Sequence, residues 1–124
     1  MTAKVHMNGE DNSDDPTHPI PALRSLDVHG VKIGGGADLA IVIASPMKGD
    51  EYSQRRLLSK IENYLGFIAS PAFREQSGAP TPENTAVVVH IHRLSDSATF
   101  ELIERCKPWV LDNHATLRVE LLAG

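Results

Sequence analysis

The sequence predicts a domain of the α/β class, because strand-like and helix-like stretches alternate along the chain. Two apolar runs, residues 38–45 and 85–94, are each followed by a helix-like stretch, and a closing strand covers residues 116–122. With a shorter strand before the first run, the predicted order is ββαβαβ. We expect a two-layer sandwich with one mixed four-stranded sheet and two helices mainly on one face. An α+β classification is the alternative.

Length and composition indicate one folded domain. The chain has 124 residues, of which 41% are hydrophobic, which is enough apolar surface for a single core. The longest apolar run, residues 39–44, is far shorter than the roughly 20 residues that span a bilayer, and the N-terminus has no signal-peptide pattern. We therefore expect a cytoplasmic protein. The single cysteine, Cys106, excludes an internal disulfide and a multi-cysteine zinc cluster.

Residues 1–22 differ in composition from the rest of the chain. They contain one lysine, four acidic residues and three prolines, with little apolar content. Such a segment buries too little surface to offset the entropy of ordering, so we predict a disordered tail followed by a single α/β domain over residues 23–124. Most of the net charge of −4 lies in this tail. The remainder is nearly neutral and lacks the basic stripe of a nucleic-acid-binding domain.

The first two strands are joined by three glycines. The apolar residues of segment 25–33 do not alternate strictly, and Gly30 lies where the pattern slips, which predicts a bulged strand. Gly34, Gly35 and Gly36 then lead into the second strand and supply the positive φ of a hairpin turn. A phosphate-binding loop would instead lead into a helix, so we do not favour one here.

The first helix begins after Asp50, a good N-cap, and Pro71 is expected to end it. Its apolar residues recur at spacings of three and four, forming one buried stripe. They are Leu57, Leu58, Ile61, Tyr64, Leu65 and Ile68. The polar residues are expected to face solvent, and they are Arg55, Arg56, Lys60, Glu62 and Asn63. Residues 71–84 are predicted to form a loop with a short turn.

The second helix is predicted to start near Asp96 or Ser97 and to kink or restart at Pro108, which cannot donate a backbone hydrogen bond. Asn113 is a candidate left-handed cap. Cys106 lies late in this helix, where the dipole disfavours a thiolate, so we interpret it as a packing residue.

Alternation along the strands assigns side chains to the two faces of the sheet. The helix-facing side is predicted to hold Leu39, Ile41, Ile43, Val87, Val89, Ile91, Leu117, Val119 and Leu121. The opposite side carries Ala40, Val42, Ala44, Ala86, Val88, His90, His92, Arg118 and Glu120. A different strand order, with one helix on each face, would leave no apolar patch exposed.

The second set of residues is the best candidate for a functional surface. Small apolar residues on an exposed sheet face are typical of a contact with another protein or a second copy. We therefore predict a non-enzymatic interaction module, either a homo-oligomer or bound to a protein partner. The predicted interface is Ala40, Val42, Ala44, Val88, His90, His92, Arg118 and Glu120. No catalytic set and no cofactor-binding motif is recognised, and RNA binding would need stacking aromatics on this face.

His90 and His92 allow a metal-binding alternative. Two residues apart on a strand, their side chains lie on one side about 7 Å apart. Glu120 or His29 would supply a third ligand. Ordinary hydrogen bonding of these histidines to acidic neighbours explains the same pattern, and we favour that interpretation.

A resemblance supports the fold. The strand from Leu39 to Ile43, the helix segment from Leu58 to Ser70 and the strand through Val89 resemble a group of small bacterial α/β proteins. The similarity covers roughly residues 39–121 and is strongest over Tyr64-Leu65-Gly66-Phe67-Ile68. It implies the same α/β fold. No activity is assigned to that group, so the resemblance implies no catalytic or binding role.

Overall fold

A computed structural model describes residues 14–122, and these form a mixed four-stranded sheet with three helices. The strands are β1 (Val28–Val31), β2 (Ala37–Ile43), β3 (Thr85–His92) and β4 (Thr116–Leu122). The helices are α1 (Glu51–Ile68), α2 (Pro71–Ser77) and α3 (Ser97–Asp112). The sheet order is β1-β2-β3-β4, with β1 antiparallel to β2 and the other two pairs parallel.

The mixed four-stranded sheet is confirmed, but the element order is ββααβαβ rather than ββαβαβ. The additional element is α2, a helix of seven residues in the segment predicted to be a loop. Pro71 does not merely follow the end of α1. It occupies the first turn of α2, where its missing N–H costs nothing, and the Ser70 hydroxyl caps this turn by accepting from the Phe73 amide at 3.3 Å. The fully buried Phe73 ring holds α2 against the core.

The hairpin between β1 and β2 is confirmed, whereas the predicted bulge is not. Gly30 pairs with Asp38 in an uninterrupted register, so β1 is a short regular strand. Gly34, Gly35 and Gly36 all have positive φ. At Gly36 a side chain is also excluded by packing, since a Cβ there would lie 2.0 Å from the Asn84 carbonyl oxygen.

Both long helices begin where the sequence predicts. The Asp50 carboxylate accepts from the Ser53 amide, and the Asp96 carboxylate accepts from the Ala98 amide. The predicted restart at Pro108 is wrong, because α3 continues through it and the buried Val110 holds the last turn in the core. The left-handed residue after this helix is His114, with φ of 70°, not Asn113.

The hydrophobic core contains most of the residues assigned to it. Side chains of β2 and β3 on one side of the sheet cluster with α1, α2 and α3. The exceptions are at the end of β4, where Val119 is only partly buried and Leu121 is exposed. Both residues are less covered because β4 is an edge strand with a neighbouring strand on one side only.

Residues 14–27 lie along α1, which differs from the prediction of a disordered tail for the part up to residue 22. Ile20 and Leu23 are buried in the core, and this apolar anchoring offsets the ordering entropy. The rest of the predicted tail, residues 1–13, is outside the described part of the chain. We refer to residues 14–27 as the N-terminal strap.

The strap is held by two buried cations of α1, which corrects the prediction that Arg56 and Lys60 face solvent. The Arg56 guanidinium donates to the Ile20 carbonyl at 2.7 and 3.0 Å. The Lys60 ammonium donates to the Ser25 carbonyl at 2.8 Å and to the Asp27 carboxylate at 2.9 Å. Both are at most 2% exposed. Burial of such charges is tolerated because their donors are satisfied.

The end of the strap is joined to the sheet through Tyr64. Its hydroxyl donates to the Ala40 carbonyl at 2.6 Å and accepts from the Asp27 amide at 2.8 Å. The Asp27 carboxylate in turn accepts from the Val42 amide at 2.9 Å. The strap, α1 and β2 are therefore joined by one polar network.

Across residues 14–122, no helix combines the length and the apolar character needed to cross a bilayer.

Candidate functional site

Strand register brings five of the predicted interface residues together in one shallow groove. Ala40 pairs with Val88, and Val88 pairs with Arg118. In the next row His90 pairs with Glu120. The groove has a volume of about 270 Å³. Its lining consists of Val28, Gly30, Asp38, Ala40, Val88, His90, Arg118 and Glu120. We call it the sheet groove.

The other three predicted residues lie further along the same side of the sheet. Val42 pairs with His90 and is half-buried, but it does not line the groove. His92 is the last residue of β3, and Ala44 follows the end of β2. The sequence did not identify Val28, Gly30 or Asp38 as part of the groove. Their alternation in β1 and β2 was the signal, because paired residues of neighbouring strands share a face.

The sheet groove has an apolar floor and a charged rim. Ala40 and Val88 lie on the two inner strands and are only 8% and 4% exposed. The Arg118 and Glu120 side chains are about half exposed, at 49% and 54%. An apolar centre within a polar rim is the usual anatomy of a protein contact surface.

The ionic contacts of the rim are made by partly exposed side chains. His90 Nδ1 lies 3.6 Å from Glu120 Oε1, and Arg118 Nη2 lies 3.9 Å from Glu120 Oε2. At the other end of the groove, Lys32 Nζ lies 3.3 Å from Asp38 Oδ1. Pairs of this kind contribute little to folding, so these charges are available to a partner.

The histidines do not form a metal site with their neighbours. Within residues 14–122 no three His, Cys, Asp or Glu side chains are grouped closely enough to hold an ion. His92 Nδ1 accepts from the Leu94 amide at 3.1 Å, which ties this ring to the turn after β3. The geometry therefore does not favour the alternative built on His90, His92 and Glu120.

His29 is also not available as the proposed third ligand. It pairs with Leu39, on the side of the sheet opposite the groove. Its ring packs edge-to-face on Phe67 at 5.2 Å and stacks on Phe73 at 6.4 Å between ring centroids. His29 is thus part of an aromatic cluster beside the core.

A second cavity, which sequence reasoning missed, lies between the strap and the start of α1. Its volume is about 370 Å³. Its lining consists of Asp15, Thr17, His18, Pro19, Ser45, Pro46, Lys48, Asp50, Tyr52 and Ser53. The carboxyl end of a parallel strand next to a helix N-terminus is where α/β proteins often bind ligands. This cavity is therefore a candidate ligand site by position.

The His18 and Ser53 pair in this cavity is arranged for structure rather than for catalysis. His18 Nδ1 accepts from the Ile20 amide at 2.9 Å, so the proton of the neutral ring is on Nε2. Nε2 then donates to Ser53 Oγ at 2.8 Å. A general base must accept the serine proton, and this tautomer cannot. Burial and the Arg56 charge also lower the pKa of His18.

The acidic residues of the cavity oppose anion binding. Hydrogen bonds from Thr17 and Tyr52 lower the pKa of Asp15 to about 2, so it is charged at neutral pH. Asp50 already caps the helix N-terminus, and its hydrogen bond with Ser53 lowers its pKa as well. The α1 N-terminus is thus occupied by the chain's own carboxylate, and the cavity serves to anchor the strap.

Cys106 is a buried packing residue, as predicted. It belongs to the core cluster, and burial raises the pKa of its thiol. A thiol in this state is a poor nucleophile.

The chain was compared with protein families, with curated proteins and with solved structures. No family model, no curated protein and no solved structure matches it. The resemblance to the group of small bacterial proteins therefore stays a prediction.

Proposed function

We propose that this protein is a non-enzymatic, cytoplasmic interaction module that self-associates through the face of the sheet bearing the groove. The observation that carries the proposal is the apolar floor of Ala40 and Val88 within a rim of weakly paired charges. The contact surface is the predicted set, which consists of Ala40, Val42, Ala44, Val88, His90, His92, Arg118 and Glu120.

The proposal includes a two-layer arrangement, with α1 and α3 covering the opposite face. Strands β2, β3 and β4 are parallel and adjacent in chain order. Two successive right-handed crossovers in one direction carry both helices to the same side. In support, the core cluster joins helix residues to Leu39, Ile41 and Val89, which alternate with the groove residues. No helix residue lines the sheet groove.

A second copy is the occupant that the charges favour. The rim carries the cation Arg118 and the anions Asp38 and Glu120, and the cation Lys32 contacts Asp38 from beside the groove. A surface with balanced charges around an apolar centre is able to complement itself across a two-fold axis. A strongly acidic or basic partner would instead need a rim of one sign. RNA is disfavoured, because the contact surface contains no Phe, Tyr or Trp for base stacking.

Measurement of the molar mass by light scattering after size exclusion tests the proposal. Val42→Glu places a charge on the contact surface, and we expect it to halve the mass of the assembly. Val31→Glu is the matched control, because this exposed β1 valine pairs with Ala37 and points to the other side of the sheet. A monomeric wild-type protein, or equal masses for wild type and Val42→Glu, would contradict self-association through this face.

A further inference from the structure

The outer edge of β4 is a second surface suited to a copy of the same chain. β4 pairs with β3 on one side, and no strand among residues 14–122 pairs with it on the other. An open edge presents unpaired backbone donors and acceptors, and proteins usually protect it with proline, bulges or inward-pointing charges. β4 is a regular strand of seven residues, Thr-Leu-Arg-Val-Glu-Leu-Leu, without proline or glycine.

The charges of β4 are self-complementary in one register. If two copies of β4 run antiparallel about a two-fold axis at Val119, Arg118 faces Glu120 of the partner subunit, and the same pair recurs on the other side of the axis. Directly opposed residues of opposite charge stabilise antiparallel strands, whereas like charges destabilise them. A shift of the register by two residues would lose this pairing.

The same register also accounts for an exposed leucine and an apolar cavity. Leu121 is 62% exposed at the edge of the sheet. Beside β4, a cavity of about 310 Å³ is lined by Lys107, Pro108, Leu111, Thr116 and Leu117. In the antiparallel register Leu117 faces Leu121 of the partner subunit, which brings that side chain to the cavity. Leu111, itself 53% exposed, would be covered as well.

We propose that two copies of this chain pair antiparallel along β4 and form a continuous eight-stranded sheet, with Leu121 of each copy in the cavity beside α3 of the other. The two copies are related by a two-fold axis perpendicular to the sheet. Each β4 edge is then occupied by the other, so no third copy can pair along β4. The two sheet grooves then lie on one side of the extended sheet. This interface does not depend on the proposed stacking of groove-bearing faces, and the two together generate a tetramer with three perpendicular two-fold axes.

Two single variants and their combination separate the two interfaces. The wild-type protein should have the mass of four copies. Leu121→Glu should remove the β4 pairing and leave a dimer, Val42→Glu should remove the stacking and leave a dimer, and the double variant should be a monomer. Ile33→Glu is the matched control, since Ile33 is an exposed apolar residue of the β1–β2 turn.

The outcomes distinguish failure of one interface from failure of the other. A monomeric Val42→Glu protein would overturn the β4 pairing and leave the stacking proposal intact. A wild-type dimer that Leu121→Glu converts to a monomer, and that Val42→Glu leaves unchanged, would support the β4 pairing and contradict the stacking. A monomeric wild-type protein would contradict both.

Charge reversal tests the register within the Val42→Glu background. Arg118→Glu should dissociate the remaining dimer, because it places glutamate against Glu120 of the partner subunit. Adding Glu120→Arg should restore the dimer, which a merely structural role of either residue would not do. Failure of the second change to restore the dimer would overturn this register.

Disulfide trapping gives an answer even if the charged variants fold poorly. Val119 is the one residue of this register that faces its own counterpart. Val119→Cys should therefore form an intermolecular disulfide under mild oxidation, with Leu122→Cys as the control that faces Thr116 of the partner subunit. Cys106 is buried and is shared by both variants. Equal crosslinking of the two variants would contradict the proposal.

Discussion

Charged residues have different roles at the strap and at the sheet groove. Along the strap, Arg56 and Lys60 are buried, and their hydrogen bonds to the chain's own carbonyls are 3.0 Å or shorter at the main contacts. Around the groove, Arg118 and Glu120 are half exposed and 3.9 Å apart. The buried charges hold the fold together. The exposed charges contribute little to it and are available for recognition.

The difference follows from solvation. A buried cation loses its hydration, so the fold retains it only where several acceptors surround it, and removing either partner is then costly. An exposed pair is screened by water and holds two long side chains in place at an entropic cost. The strap contacts should therefore dominate stability, while the groove contacts should dominate association.

Replacement of Lys60 should have the largest effect on stability. Lys60→Met keeps the length of the side chain but leaves the Asp27 carboxylate and the Ser25 carbonyl without their shared donor. We expect a loss of roughly 3 kcal/mol in the free energy of unfolding, measured by urea denaturation. Arg55→Met is the control, because Arg55 lies in the same helix, its side chain is about half exposed, and it pairs with Glu51 one turn away. Similar losses for both variants would remove the distinction between the two kinds of charge.

Removal of the Tyr64 hydroxyl should have the next largest effect. Tyr64→Phe leaves the Ala40 carbonyl and the Asp27 amide unpaired, at a cost of about 2 kcal/mol. Burial raises the pKa of Tyr64 far above its ordinary value, so the hydroxyl stays protonated across the usual pH range. Tyr52→Phe is the matched change at an exposed hydroxyl, which donates to Asp15. Tyr52→Phe should lower the free energy of unfolding much less in the same denaturation experiment.

The strap should also make stability depend on pH. Burial and then the Arg56 charge lower the pKa of His18 below 6.5, while Asp15 and Asp50 partly oppose this shift. The unfolded chain therefore takes up a proton first as the pH falls. The stabilisation is complete above pH 6.5 and declines as the pH falls below this value, until His18 is also protonated in the folded protein.

His18→Gln isolates this contribution. Denaturation midpoints at about pH 7.5 and about pH 5.5 should differ less in the variant than in the wild-type protein. The other histidines are present in both proteins, so the comparison reports on His18. An unchanged difference would mean that the strap is not coupled to this residue.

The smallest effect is expected for the charge pair beside the groove. A double-mutant cycle with Lys32→Gln and Asp38→Asn should give a coupling energy of about 0.5 kcal/mol or less, because both side chains are well exposed. The double variant of Val42→Glu and Leu121→Glu, which should be a monomer, is the background that keeps association out of the measurement. The corresponding cycle on Lys60 and Asp27 should exceed about 1 kcal/mol. Equal coupling in the two cycles would contradict the comparison.

Regions whose structure depends on nearby residues could be predicted from the sequence, whereas regions that depend on distant contacts could not. The Asp50 cap, the start of α3 near Asp96 and the glycine turn depend on neighbours in the chain, so this cap, this helix start and the positive φ values agree with the prediction. Strand alternation alone assigns Ala40, Val88, His90, Arg118 and Glu120 to one face, and these five line the groove. Val28, Gly30 and Asp38 were not identified, and the role of the whole set as an interface stays a prediction.

The strap could not be predicted from local pattern. Arg56 and Lys60 are polar residues of an amphipathic helix and were placed in solvent. Their partners are backbone carbonyls about 35 residues away. Every residue has a backbone carbonyl, so residue types do not indicate which ones accept these hydrogen bonds. The apolar residues Ile20 and Leu23 within the proline-rich segment were the available signal.

The sequence by itself determined the secondary-structure elements, apart from α2, and the side of the sheet on which each strand residue lies. These properties depend on the two backbone periodicities and on caps within a few residues. Tertiary structure alone decided that the strap docks on α1, that His29 and His90 lie on opposite sides, and that β4 is an edge. Each of these depends on contacts between residues distant in the chain, which no local pattern encodes.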